Sequence, residues 1–118
     1  MKGVEIMDCL FCKIVAGDIP CTKVYEDDMV LAFKDIDPKA PFHILIIPKN
    51  HIKSAAEING ENSGVVAHIF EVAVKIAKDE NLEKGFRLVT NCGEDGGQTV
   101  SHLHFHMLAG RSLAWPPG

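Results

Sequence analysis

His102, His104 and His106 alternate with Leu103, Phe105 and Met107, and no other feature of the chain is better placed to do chemistry. In a β-strand successive side chains point to opposite faces, so residues two apart share a face. The three imidazoles then point one way, while the apolar set points the other way into a core. A helix would separate them, because at about 100° per residue His104 faces nearly opposite its two neighbours. Three explanations compete. The first is a polar strand face that happens to consist of histidine, although structural histidines rarely come three to a face while the other face stays apolar. The second is a metal site, histidine being the commonest metal ligand. The third is nucleophilic catalysis. A neutral imidazole attacks phosphorus well near pH 7, and the N–P bond it forms is labile enough for water to cut. A carboxylate suits that role less, because it repels phosphate.

The segment just upstream helps to choose. Cys92-Gly93-Glu94-Asp95-Gly96-Gly97 is dense in glycine and runs into Gln98-Thr99-Val100-Ser101. Such a loop offers backbone N–H groups and hydroxyls to an anion a few residues from the histidines. It lacks the Gly-Lys-Ser/Thr ending of a P-loop, which disfavours a magnesium-dependent nucleotide triphosphatase. A glycine loop feeding three same-face histidines points to a phosphate-bearing substrate and an imidazole nucleophile. A purely metal-binding role leaves the loop unexplained.

Cys9 and Cys12 form a C-x-x-C pair. In a reducing compartment such a pair suggests metal or redox use before a disulfide. Histidines can complete a tetrahedral set around it; the alternative is a buried pair holding nothing. Cys21 and Cys92 read as inert packing thiols. His68 reads as a partly exposed helix residue without a role.

These residues need elements to position them. Leu10 to Ala16 is expected as a short helix ending at Gly17, with Pro20 barring continuation. Lys23 to Glu26 and Met29 to Lys34 read as strands about an Asp27-Asp28 turn. Asp37-Pro38-Lys39-Ala40-Pro41 is a loop, since each proline pushes its predecessor out of the helical region. His43 to Ile47 is an apolar strand closed by Pro48. Ser63 to Lys78 is the long helix, with Val65 or Val66, Ile69, Phe70, Ala73, Ile76 and Ala77 at helical spacing. Phe86 to Asn91 and His102 to Leu108 are the last strands. About five strands, one long and one short helix, with helices kept to one side, make an antiparallel α+β domain.

The chain of 118 residues is expected to be one domain spanning 1–118. Its 47 % apolar and 24 % charged residues exclude disorder as a global description. A formal net charge of −4, with no Lys/Arg block, argues against nucleic acid as a partner. The longest apolar run, Ile44-Leu45-Ile46-Ile47, is far too short to cross a membrane. Met1-Lys2-Gly3-Val4-Glu5 has no signal-peptide pattern, so a cytoplasmic location is the expectation.

From Asp8 to Gly118 the chain resembles the histidine triad (HIT) family, and within it the Hint branch. The resemblance is carried by His102-Leu103-His104-Phe105-His106-Met107-Leu108, which fits the His-x-His-x-His-x-x motif. Further matches are Cys9-Leu10-Phe11-Cys12-Lys13-Ile14, Phe33-Lys34-Asp35-Ile36, Ala40-Pro41-Phe42-His43, Ile47-Pro48-Lys49-Asn50-His51 and Asp95-Gly96-Gly97-Gln98-Thr99. The ending Trp115-Pro116-Pro117-Gly118 resembles the Hint branch in particular.

The resemblance implies a homodimeric HIT-like fold that binds a purine nucleotide such as AMP. Hint-like enzymes hydrolyse nucleoside phosphoramidates of the AMP-amine type through a nucleotidyl-histidine. By position His104 is the nucleophile. His106 and the Gly97, Gln98 and Thr99 amides hold phosphate oxygens. His43 lies near the leaving group and helps proton transfer. Asp35 takes the ribose hydroxyls, Asn91 meets the phosphate side, and Leu10, Phe11, Phe33 and Ile36 line the base pocket, although spacing alone makes these four core residues. Thr99 stands where the branch has serine, keeping the hydroxyl and adding a methyl. Some bacterial-type members bind a structural zinc through residues matching Cys9, Cys12, His51 and His102, and none needs a cofactor for catalysis. Two alternatives are a dinucleoside polyphosphate hydrolase and a nucleotide-responsive binding protein.

Overall fold

The computed structural model describes residues 8–118, so the stretch Met1–Glu5 discussed above lies outside it. Helix α1 (Leu10–Ala16) begins at Cys9, whose Sγ accepts the Cys12 amide hydrogen. It ends at Gly17, which sits at φ 86° and turns the chain away. Strands β1 (Lys23–Glu26), β2 (Val30–Lys34) and β3 (Phe42–Pro48) follow, then a short 3-10 turn at Ala55–Glu57. Helix α2 (Gly64–Asp79), β4 (Arg87–Val89) and β5 (Phe105–Ala109) complete the described elements. The sheet runs β1-β2-β3-β5-β4, and every neighbouring pair is antiparallel.

Strand alternation divides the core in two. Val30, Ala32, Ile44, Ile46, Phe105 and Met107 pack with Ile69, Val72, Ala73 and Ile76 of α2. Leu31, Phe33, Leu45 and Ile47, the intervening residues, pack with Phe11 and Ile14 of α1. The helices therefore cover opposite faces, not one side as expected. The reason lies in β2 and β3, which are apolar at consecutive positions and so present two faces to bury.

Two local expectations also change. Val72, not Phe70, lies in the buried stripe of α2, and Phe70 stays half exposed with its ring edge-on to Phe105 at 5.9 Å. The last strand begins at Phe105, not His102. Before it, the backbone is held from outside the sheet: Leu103 N–H donates to Ile52 O at 2.6 Å, and Thr90 Oγ1 donates to His104 O at 2.8 Å. Side-chain alternation survives without the ladder, because Leu103 joins the α2 core while Phe11 meets the rings of His102 and His104 on the α1 side.

Candidate active site

The α1 face of the sheet collects the polar residues singled out in the sequence. Phe33 and Leu45 are direct partners across β2 and β3, and Leu45 pairs with His106 across β3 and β5. His43, two residues before Leu45, therefore shares the face with His106. His104 follows at the mouth of β5, its ring 5.2 Å from that of His106 and 5.1 Å from Phe11.

Hydrogen bonds settle which ring nitrogen carries each proton. A carbonyl can only accept, so His104 donates Nδ1–H to His102 O at 2.7 Å. Its Nε2 is left with a free lone pair. A backbone amide can only donate, so His43 Nδ1 accepts the Lys39 N–H at 3.0 Å. His43 then carries its proton on Nε2 and donates to His106 Nδ1 at 2.9 Å. His106 in turn keeps its own proton on Nε2. Burial, and after it the neighbouring His104 and His43, push the pKa of His106 down, with only Asp35 opposing, which favours the uncharged ring. Asp35 Oδ2 stands 3.4 Å from His43 Nε2 and 3.9 Å from His106 Nδ1, while its Oδ1 accepts the Asp37 amide at 2.8 Å. Both nitrogens of His43 are engaged within the protein and the residue is only 7 % exposed, so it offers no free ring nitrogen to a ligand.

Beside this cluster lies a groove of about 730 Å³ lined by Leu10, Phe11, Phe33, Asp35, Ile36 and Leu45, among others. Spacing alone made four of these core residues. Phe11 and Phe33 are buried, but Leu10 is 45 % exposed and Ile36 fully exposed, an arrangement that suits a ligand and not a core. The glycine loop is braced from inside. Asn91 Nδ2 donates to Gly96 O at 2.6 Å, and Gln98 Oε1 accepts the Gly93 amide at 3.0 Å. The Gly97 and Gln98 amides donate to Glu94 O and Gly93 O, so they face the loop itself; Thr99 is exposed beyond them.

A second cluster lies where α1 meets the segment after β3. Cys9 Sγ is 3.3 Å from His102 Nδ1, and Cys12 Sγ is 3.3 Å from His51 Nδ1 and 3.5 Å from His102 Nδ1. All four ligand atoms lie within 4.8 Å of one another. A zinc tetrahedron with Zn–S of ~2.3 Å and Zn–N of ~2.0 Å has S···N edges of roughly 3.5 Å, so the residues fit that ion. His102 donates Nε2–H to Pro48 O at 2.9 Å, which turns the unprotonated Nδ1 toward the thiols. Burial, followed by the adjacent His51 and His104, lowers its pKa to about 4 despite the Pro48 bond. Burial and the neighbouring Cys9 push the Cys12 thiol up to about 12, a state that a bound cation would reverse.

Some residues behave differently from expectation. Cys92 is exposed beside Ser54 and is not a packing thiol. His68 Nε2 bonds Asp27 Oδ2 at 2.6 Å, and Tyr25 Oη donates to the same oxygen at 2.7 Å, so this histidine ties α2 to the β1–β2 turn. Thr90 and the Lys39 amide, which orient His104 and His43, went unnoticed in the sequence. A backbone amide has no residue signature, and a lone threonine near a strand end has almost none.

An antiparallel sheet whose last strand carries His106 and is entered through His102 and His104 on the same side, beside an apolar groove and a glycine loop, defines the class of protein. Residues 8–114 match the sequence family described as "Scavenger mRNA decapping enzyme C-term binding". The chain is 50 % identical over 111 residues to an uncharacterized HIT-like protein of Synechococcus elongatus, covering 94 % of this chain and 97 % of that one. It is 47 % identical over 120 residues to a 14 kDa zinc-binding protein of Zea mays, covering 100 % and 94 %. It superposes with a TM-score of 0.91, at 52 % identity, on the crystal structure of a HIT family hydrolase from Legionella pneumophila, covering 94 % and 100 %. The chain belongs to the histidine triad family.

Proposed function

We propose that the protein hydrolyses nucleoside phosphoramidates of the AMP-amine type through a nucleotide bound covalently to His104. The observation that carries this reading is the bond from His104 Nδ1–H to the His102 carbonyl, which leaves the Nε2 lone pair as the reactive position. The name of the Legionella relative, a hydrolase, agrees with it. The lone pair attacks phosphorus. The P–N bond breaks, its electrons stay on the departing nitrogen, and that nitrogen takes a proton from solvent on the exposed Thr99 side. Water then attacks phosphorus, the P–Nε2 bond breaks with its electrons returning to His104, AMP is released, and the proton lost by the water passes to solvent. Neutral His106 donates its Nε2–H to a phosphate oxygen as negative charge grows there. Asp35 holds the ribose hydroxyls, and Leu10, Phe11, Phe33 and Ile36 hold the purine. Thr99 and the loop braced by Asn91 and Gln98 bound the phosphate side. Because the Gly97 and Gln98 amides donate within the loop, they reach phosphate only if the loop turns.

Zinc at Cys9, Cys12, His51 and His102 is part of the proposal, supported by the donor set and by the zinc-binding relative from maize. When bound it cross-links α1 to the histidine segment, and no step of catalysis passes through it. A homodimer is supported by β4 at one edge of the sheet and by Phe70 and Val74 exposed one turn apart on α2. Among the described residues no helix is long and apolar enough to cross a membrane. The test is turnover of a fluorogenic AMP-amine by the purified protein, with a diadenosine polyphosphate as comparison. Cleavage of the AMP-amine that His104→Ala abolishes is expected. Preference for the dinucleotide, or full turnover by the variant, overturns the reading.

A further inference from the structure

The loop between β2 and β3 has little to hold it. Ile36, Asp37, Pro38 and Lys39 are exposed, and none belongs to the sheet. Yet the Lys39 amide is what fixes the proton position of His43, and through it that of His106. The contact that holds Lys39 from the other side comes from the segment after β5. Arg111 Nε and Nη2 both donate to the Lys39 carbonyl, at 3.2 and 2.9 Å, while Nη1 donates to Ser112 O at 3.0 Å. Gly110, at φ +94°, lets the chain pass so close to Pro41 that a Cβ built on it lies 2.9 Å from the Pro41 Cβ. The Lys39 side chain is engaged elsewhere, with Asp37 at 2.8 Å. It is the Lys39 backbone, bonded at its carbonyl by Arg111 and at its amide by His43, and not the ammonium group, that is clamped.

We infer that Arg111 is a positioning residue for the histidine cluster: by forking onto the Lys39 carbonyl it holds the Lys39 amide against His43 and so keeps His43 and His106 in the tautomers that turn a neutral N–H outward. A planar guanidinium can place two donors on one oxygen, whereas an ammonium is a point donor on a flexible stem. Without the fork the exposed loop can swing, His43 Nδ1 loses its obligate donor, and its proton is free to sit on either nitrogen. His106 then faces a partner of mixed character and no longer presents Nε2–H consistently. The arginine touches no histidine and lies outside the groove.

This inference rests on the role given to His106 above, and two readouts separate the two. The first is the long-range ¹H–¹⁵N spectrum of the imidazoles in ¹⁵N-labelled protein without ligand, compared among wild type, Arg111→Lys and Arg111→Ala. Wild type is expected to show His43 protonated at Nε2 alone, and both variants a tautomer mixture. The second is AMP-amine turnover. A fall in kcat on the order of tenfold to a hundredfold, with KM held within about twofold, is expected, as for other groups that orient a reactive residue from behind. Arg111→Lys keeps the charge and most of the aliphatic stem while removing the fork, so it carries the test if Arg111→Ala does not fold. If His43 keeps its proton on Nε2 in the folded variants, the inference is overturned whatever happens to turnover. It is equally overturned if the tautomers mix and kcat stays at the wild-type value. A wild-type protein that ignores AMP-amines removes the substrate reading, and the spectra still decide the role of Arg111.

Discussion

Each histidine of the triad has a different hydrogen-bond partner, and the proposed division of labour follows from that. His102 turns a lone pair toward two thiols, His104 keeps one at Nε2, and His106 keeps a proton there. Under the proposed mechanism, truncating His106 removes a donor from the growing phosphate charge. His106→Ala is therefore expected to lower kcat by about 10²–10³-fold, while AMP binding, measured by calorimetry, weakens far less. A proportionate loss of AMP affinity instead assigns the residue to ground-state binding. Thr90→Val removes the hydroxyl that holds the His104 carbonyl at 2.8 Å, with a stability loss of about 1 kcal/mol expected in urea melts. At this scale the sequence was most legible where a side chain acts directly. The His-x-His-x-His spacing was enough to place three rings on one face. It was least legible where a backbone group acts, as with the Lys39 amide, because any residue supplies one.

Elements were legible wherever local signals agreed. Helix α1 occupies the expected residues because Cys9 caps its start and Gly17 its end. Gly17→Ala forces a Cβ into the left-handed region and is expected to cost about 1 kcal/mol in equilibrium unfolding. The start of β5 was not legible, since the backbone of Leu103 pairs with Ile52 in a distant loop that no local pattern announces. The tie between α2 and the β1–β2 turn was missed for the same reason. Burial alone raises the pKa of Asp27, but bonds from His68, Tyr25 and the Val30 and Met29 amides outweigh it and hold the carboxyl well below the usual range. The Asp27 bond in turn raises His68 above its ordinary value. The lowered Asp27 contributes stability present above about pH 4 and lost as the pH falls through its folded pKa. The raised His68 contributes stability present below about pH 6.5 and lost as the pH rises through its folded pKa. The tie is therefore strongest between those limits. His68→Ala is expected to destabilise by about 1–2 kcal/mol near pH 5.5, with the gap narrowing by pH 9. A gap that is flat with pH contradicts the ion pair.

At the scale of the whole molecule, two helices cover two faces of one sheet, and the Cys9–Cys12–His51–His102 cluster is where α1 joins the histidine segment. If zinc occupies that junction, protein prepared without chelator contains one equivalent of it by elemental analysis. Its removal then lowers the thermal midpoint by several degrees, because binding energy at a structural site is folding energy. A metal-free preparation with an unchanged midpoint contradicts this. The two-faced core was only half legible, because consecutive apolar residues in β2 and β3 say that both faces are covered but not by which helix. The central claim, that His104 bonds covalently to the nucleotide, is tested most directly on the intact protein. Rapid-quench mass spectrometry during AMP-amine turnover should show one nucleotidyl group per chain, mapping to His104 on digestion and absent from His104→Ala. Turnover with no adduct at any quench time, or an adduct on another residue, would contradict the account.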